Sequence, residues 1–247
     1  MGESVIHMPD VATSTPSHWS WHRLDEACEG IFDCPHSTPQ LTAYGPLVVR
    51  SQDIRSGVFR TEQAAHVSQT TYGERIARAE PQAGDLLYSR EGTYFGIAAE
   101  VPSGVQVCLG QRMVLIRPAP REYSHRFLLY WLNSGFMANY LRGYRDGSVA
   151  ERLNMTTIRG LPVPRPPLKE QQAIAAILGA LDDKIENNRR TNETLEQMAR
   201  AIFTSWFVDF DPVHAKAAGQ RPTGMDDAAL ALHRQGVVGV PGDERRQ

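Results

Sequence analysis

The stretch 161–207, LPVPRPPLKEQQAIAAILGALDDKIENNRRTNETLEQMARAIFTSWF, decides the fold. Its first seven residues include four prolines, which block helix formation as far as Pro167, where proline suits a first helical turn. Beyond Pro167 the stretch contains a single glycine, Gly179, and no proline. We therefore predict a stiff junction at 161–167 and then one helix over 168–207, about 60 Å long.

Apolar and small residues recur along this helix with an alternating spacing of four and three residues. This spacing is typical of a coiled-coil seam, whereas a helix packed only on its own domain shows a wider apolar stripe. The sequence therefore favours a coiled coil. The seam positions are Ile174, Leu178, Leu181, Ile185, Asn188, Asn192, Leu195, Ala199, Ile202 and Trp206.

Two asparagines, Asn188 and Asn192, lie in the middle of the seam. A buried amide costs stability unless it finds a partner, so an asparagine in a seam fixes register and orientation. Two copies paired antiparallel about residue 190 place the two asparagines opposite each other. Large residues then face smaller ones in the pairs Leu181–Ala199, Ile185–Leu195, Leu178–Ile202 and Ile174–Trp206. The spacing thus predicts an antiparallel homodimer.

Residues 17–165 contain short β-type runs bounded by turn residues, at 46–50, 85–88, 94–101 and 105–117. Helices are predicted from Ser124 and again after the Ser-Gly break at 134–135. The predicted fold class is α+β: a mixed α/β domain at 17–165, followed by the long helix at 166–208. We expect a flexible leader at 1–16 and a loose tail at 209–247 with one helical turn at 226–234.

Composition excludes several classes of protein. No run of about 20 apolar residues predicts a membrane span, and the first 16 residues lack the features of a secretory signal. The three cysteines, Cys28, Cys34 and Cys108, fit a reducing, cytoplasmic compartment. The net charge is −2, and residues 17–165 hold 16 Arg, no Lys and 14 acidic residues. Charge therefore permits DNA binding without demanding it.

Motifs of enzyme chemistry are missing from the sequence. It contains no phosphate-binding loop, dinucleotide-binding turn, nucleophile elbow or zinc-protease motif. Cys28, Cys34 and His36 lack the further ligand pair that a zinc site needs. The run 182–184, Asp-Asp-Lys, resembles half of a nuclease metal site but falls on the polar flank of the predicted helix. We therefore expect neither a catalytic residue nor a metal in this chain.

The chain resembles the specificity subunits of type I restriction-modification systems over residues 17–225. Each motif is weak alone, but their order is specific. The motifs are WSWHRL at 19–24, DCPHSTP at 33–39, GPLVVR at 45–50, GDLLYSREGT at 84–93, GS at 147–148, LPVPRPPLKEQQ at 161–172, IL at 177–178, LDDKI at 181–185, IF at 202–203 and WF at 206–207.

This resemblance implies a target-recognition domain followed by a long spacer helix. Family members usually carry two such units, whose antiparallel helices separate two DNA half-sites and seat the modification (methyltransferase) subunits. Those subunits bind S-adenosylmethionine, and a motor subunit uses ATP and Mg, so no cofactor is expected in this chain. The sequence holds one unit, as a natural half-subunit, a truncated gene or an engineered form would. Two copies would then read a split, palindromic site.

Residues on predicted loops are the candidates for contact with double-stranded DNA. Arginine can pair with guanine, and glutamine with adenine, in the major groove. The stronger candidates are Ser89, Arg90, Thr93, Ser51, Gln52 and Arg55; the weaker ones are His36 and Thr38. Two other functions stay open at this point. One is a non-catalytic coiled-coil assembly protein without DNA specificity, and the other is a small nuclease.

Overall fold

A computed structural model of the chain describes residues 15–92, 94–142, 153–222 and 224. The strands are β1 (Ser20–Arg23), β2 (Cys28–Asp33), β3 (Leu41–Val49), β4 (Ile54–Arg55), β5 (Val58–Phe59), β6 (Ala65–Val67), β7 (Leu86–Ser89), β8 (Ala98–Glu100), β9 (Val107–Leu109), β10 (Met113–Pro118) and β11 (Pro162–Arg165). The helices are α1 (Gln69–Arg75), α2 (His125–Leu132), α3 (Gly135–Arg142), α4 (Met155–Arg159), α5 (Leu168–Phe203) and α6 (Asp211–Ala217). The predicted α+β class is confirmed. Residues 1–14 of the leader expected at 1–16, and the helical turn expected at 226–234, lie outside the described residues.

An antiparallel sheet in the order β2-β10-β7-β8 is the centre of the first domain. Successive residues of a strand point to opposite faces, and both faces of this sheet are covered. Leu86 and Tyr88 of β7 therefore enter one apolar core, while Leu87 enters the other. Burial on both faces explains why β7 carries no exposed residue.

Three helices cover the first face of this sheet. Ser124 caps α2 by accepting a hydrogen bond from the N–H of Phe127, as the sequence predicted. The break at 134–135 separates α2 from α3, which is also confirmed. Apolar residues of all three helices join the core of this face; they are Leu128, Leu129, Leu132, Met137, Leu141 and Ile158.

The second face of the sheet is covered by a three-stranded sheet, β6-β3-β9, and by the β4–β5 hairpin. The prediction of a single strand over 105–117 is wrong. The segment forms two strands, because β9 runs parallel to β3 while β10 joins the central sheet. The N–H of Gly110 donates to the carbonyl of Val49, and Arg112 has a positive φ of 70°, so the chain turns between the sheets. The strand predicted over 94–101 shortens to β8, because Gly96 turns the chain at φ 75°.

The proline-rich segment, predicted as a stiff junction, contains a strand that belongs to the first domain. Residues 162–165 form β11, which pairs antiparallel with β1, and Trp21 lies opposite Pro164. Proline is tolerated there because a two-stranded sheet consists only of edge strands. The compact unit that contains this pair extends to Leu181, and a second unit begins at Asp182. The first turns of α5 therefore belong to this first unit, beyond the boundary predicted at 165.

Gln171 ties the start of α5 to that unit. Its side chain is fully buried, and its Oε1 accepts a hydrogen bond from the N–H of Ser124 at 2.9 Å. Its Nε2 donates to the carbonyls of Glu122 and Pro166, each at 2.9 Å. One amide thus satisfies three backbone groups, which fixes where the helix starts.

Replacing Gln171 with leucine is expected to lower the free energy of unfolding by about 2–3 kcal/mol, because buried backbone groups lose their partner. The neighbouring Gln172 is exposed, so Gln172→Leu is a matched control that should change stability by less than about 0.5 kcal/mol. Urea denaturation of both variants measures the difference. Equal effects from the two substitutions would show that the buried amide contributes nothing of its own.

The seam of α5 is exposed along most of its length. Every residue from Leu181 to the end of α5 is exposed, including 56% of Leu181 and 65% of Ile185. The α-helix ends at Phe203 and continues as a wider π-helical turn over Thr204–Val208, so Trp206, the last seam position, lies outside it. The described part of the tail, 209–222 and 224, contains α6, where the sequence predicted a loose segment. No helix among the described residues is long and apolar enough to cross a membrane.

Candidate nucleic-acid interface

Loops from both sheets meet at one edge of the first domain. In the antiparallel central sheet, Val114 near the start of β10 lies opposite Asp33 at the end of β2 and Tyr88 near the end of β7. The parallel strands β3 and β9 also end there, where Gly110 bonds to Val49. We call this the loop edge; it comprises residues 34–40, 50–53, 90–92, 94–97 and 110–112. Most of the segments that the sequence predicted to contact DNA lie at this edge.

An inner layer of the loop edge consists of Asp33, Ser89 and Arg90. Ser89 is fully buried and Arg90 is 3% exposed. Nη1 of Arg90 lies 2.9 Å from Oδ1 of Asp33, close enough for an ion pair although not aligned as a hydrogen bond. The prediction that Ser89 and Arg90 touch bases is therefore corrected, because their side chains lie beneath the surface and hold the loops.

An outer layer of polar side chains lies above these residues. His36, Thr38 and Gln52 are exposed, and Ser51 is partly exposed. His36 Nε2 lies 3.5 Å from Oδ2 of Asp33, which links the two layers. All four side chains remain candidates for contact with DNA. Thr93, the remaining candidate of the same loops, lies outside the described residues.

Arg55 projects from the β4–β5 hairpin toward the 90–97 loop. Its Nη1 donates to the carbonyls of Gln52 at 3.0 Å and Ile54 at 2.7 Å. Its guanidinium carbon lies 4.0 Å from the ring centroid of Tyr94, a cation–π contact. The sequence nominated Arg55 but not Tyr94, since a contact between distant loops leaves no local pattern.

Two further residues of the loop edge, Gln111 and Arg112, were missed because 105–117 was interpreted as one strand. Nε2 of Gln111 donates to the carbonyl of His36 at 2.6 Å, and its Oε1 accepts from Thr38 at 3.1 Å. Both residues line a cleft of about 380 Å³ together with His36, Arg90 and Glu91. The only signal in the sequence was Gly110, a strand-breaking residue inside the run.

Arg75 of α1 supports the loop edge from below. It is 6% exposed, and its Nε donates to the carbonyl of Leu109 at 2.7 Å. Its Nη1 and Nη2 donate to the carbonyls of Ser37 at 3.1 Å and Pro35 at 3.4 Å. One buried guanidinium thus connects the end of β9 to the 34–40 loop.

Substituting Arg75 with methionine should destabilise the domain by about 2 kcal/mol, since three carbonyls lose a charged donor. Arg78 is exposed and, among the described residues, donates one hydrogen bond, to the carbonyl of Asp33 at 3.3 Å, so Arg78→Met is the control. Amide hydrogen exchange should quicken over 34–40 in the Arg75 variant and stay unchanged in the control. Unchanged exchange in both variants would contradict the role of Arg75.

The chemistry of the loop edge suits binding more than bond breaking. Guanidinium, amide, imidazole and hydroxyl groups are those that contact phosphates and base edges. Burial raises the pKa of the Cys28 thiol to about 12 and that of Cys108 to about 11, so neither is a ready nucleophile. The described residues include no group of three side chains placed to ligate a metal. Asp182, Asp183 and Lys184 lie exposed on α5.

Comparison with solved structures supports the same architecture. The HsdS subunit from Thermoanaerobacter tengcongensis matches with a TM-score of 0.54 and 20% identity, over 77% of this chain and 48% of that one. A chain from a structural study of type I R-M system assembly and conformational transition also matches with a TM-score of 0.54. It is 19% identical, over 85% of this chain and 52% of that one. At these identities the likeness establishes the fold.

Sequence comparison identifies the family. The type I restriction enzyme HindI specificity subunit of Haemophilus influenzae is 34% identical over 148 residues, 57% of this chain and 31% of that protein. The MjaIX specificity subunit of Methanocaldococcus jannaschii is 38% identical over 86 residues, 35% of this chain and 20% of that protein. This chain thus spans less than a third of either relative in these matches. The family model described as "Type I restriction modification DNA specificity domain" matches residues 64–197, more than half of the chain, so the chain belongs to that family.

Proposed function

We propose that this chain is a non-catalytic specificity subunit that reads one half of a split DNA site through its loop edge. The observation that carries the proposal is the convergence of these loops, which present exposed polar side chains on a rigid scaffold. Gln52 and His36 supply hydrogen-bonding groups there, and Arg55 of the adjacent β4–β5 hairpin supplies a positive charge. Such groups, held by buried residues, suit the reading of base edges.

The second half of the proposal is an antiparallel homodimer through α5. Leu181, Ile185, Leu195 and Ile202 are each more than half exposed, yet they recur at coiled-coil spacing. An apolar stripe of this kind favours a protein partner. A second copy of the chain fits because Asn188 then faces Asn192. Two identical loop edges would read a palindromic site with a spacer.

The helix pair also offers a surface for other subunits. We infer that methyltransferase subunits dock on α5 and that a motor subunit joins them, as the resemblance to type I specificity subunits implies. S-adenosylmethionine, ATP and Mg would be bound by those partners. We place the complex in the cytoplasm, where the three free cysteines stay reduced.

Selection from a random DNA duplex library tests the reading of DNA. The purified chain should enrich a split, palindromic motif, and its affinity should fall as salt rises. An assembly protein without DNA specificity would enrich no motif, and that result would overturn the proposal. Methylome sequencing of cells with and without the gene should report the same motif.

Disulfide crosslinking tests the orientation of the helix pair. In the double variant Asn188→Cys and Asn192→Cys, an antiparallel pair joins position 188 of one copy to position 192 of the other. A parallel pair would instead join equal positions, which would contradict the antiparallel dimer. Peptide mapping of the crosslinked dimer distinguishes the two arrangements.

A further inference from the structure

Arg112 adopts a backbone conformation that non-glycine residues rarely take. Its φ is 70°, in the left-handed region, where an ordinary side chain is strained. The backbone is held there because the carbonyl of Arg112 accepts a hydrogen bond from the N–H of Arg90 at 3.0 Å. Such strained positions concentrate at functional sites, where they aim a side chain.

The side chain of Arg112 is oriented by Glu91. It is 56% exposed, and its Nε lies 3.3 Å from Oε1 of Glu91. This ion pair engages the Nε side of the guanidinium, and the two terminal nitrogens make no hydrogen bond to the described residues, so they can pair with a base edge. The nearby carboxylate repels a phosphate but not a neutral base. The arrangement therefore favours guanine, whose O6 and N7 accept two parallel hydrogen bonds.

The cleft behind Arg112 is a built polar site. Arg90 lines it while only 3% exposed, and its Nε has no hydrogen-bond partner among the described residues. Gln111, beside Arg112, is fixed by its hydrogen bonds to His36 and Thr38. Arg112 therefore lines a polar cleft together with the hydrogen-bonded Gln111 and the buried Arg90.

We propose that Arg112 determines specificity by reading a guanine in the major groove of each half-site. The proposal rests on the proposed function and names one of its contacts. Substituting a residue that reads a base changes which DNA sequences the protein binds. Substituting a residue that contacts a phosphate weakens binding to all DNA sequences alike. This difference makes the role of Arg112 measurable.

The test uses the full chain and the duplex that it enriches from a random library. Arg112→Asn removes the guanidinium and keeps the left-handed backbone, because asparagine tolerates that region. It should bind the enriched duplex roughly tenfold to hundredfold more weakly. It should also become indifferent to exchange of one G·C pair per half-site, while the salt dependence stays unchanged. Arg112→Gly should give the same result, and thermal unfolding confirms that both variants fold.

Arg121 provides the control, because it is also exposed but follows the end of β10, at the opposite edge of the sheet. Arg121→Asn should keep the full motif. If Arg112→Asn weakened binding to all duplexes equally and made the affinity less dependent on salt, Arg112 would contact a phosphate, and the proposal would be overturned. Undiminished discrimination at every G·C pair would also overturn it. If the unmodified chain enriches no motif, the proposed function itself fails, and this inference fails with it.

Discussion

Asp33→Asn is expected to lower the free energy of unfolding by about 3–5 kcal/mol, because it leaves the buried Arg90 guanidinium without its carboxylate. Urea denaturation measures the change. Glu29 lies on the same strand but is exposed, so Glu29→Gln should cost less than about 0.5 kcal/mol. A loss below about 1 kcal/mol for Asp33→Asn would show that the pair is well solvated.

A double variant separates the ion pair from the packing around it. Adding Arg90→Met to Asp33→Asn removes the unpaired charge while keeping much of the side-chain volume. Replacing both partners of a buried pair is often close to neutral, so the double variant should recover most of the lost stability. Additive losses in this cycle would mean that Asp33 and Arg90 contribute independently.

The double variant Leu181→Glu and Ile185→Glu should convert the dimer into a monomer at micromolar concentration. Both side chains are more than half exposed in one chain, so charge costs the monomer little. In the paired helices, however, four carboxylates would be buried across the seam, so the affinity of one copy for the other should fall at least a hundredfold. Sedimentation velocity measures the mass of each species.

Gln197→Glu is the matched control for this prediction. It changes charge on the same helix but lies away from the seam, at an exposed position. The control should remain dimeric, and both proteins should keep the same unfolding midpoint for the recognition domain. A Glu double variant that still sediments as a dimer would place the interface elsewhere.

Periodic features of this chain were predictable from sequence, whereas features that depend on distant contacts were not. The alternating spacing located α5, and Ser124 located the start of α2, because both signals are local. The role of 162–165 was missed because its partner, β1, lies about 140 residues away in the chain. Four prolines suggest a linker unless a second edge strand is known to pair with them.

The candidate site divides in the same way. Loop position and residue type nominated His36, Gln52 and Arg55, which the structure leaves at least partly exposed. The same reasoning nominated Ser89 and Arg90, which are buried, because depth below a surface depends on the neighbouring loops. Arg112 was missed because 105–117 has the pattern of one strand, and the turn that contains Arg112 depends on a hydrogen bond from Arg90, a residue from another strand end.

The two layers of the loop edge have an evolutionary consequence. Substitutions at His36, Gln52 or Arg112 remove no core contact, so they can accumulate with little penalty to folding. Substitutions at Asp33 or Arg90 are selected against on stability alone. New target sequences are therefore expected to arise through single changes in the outer layer, while the inner layer persists among descendants that read different DNA.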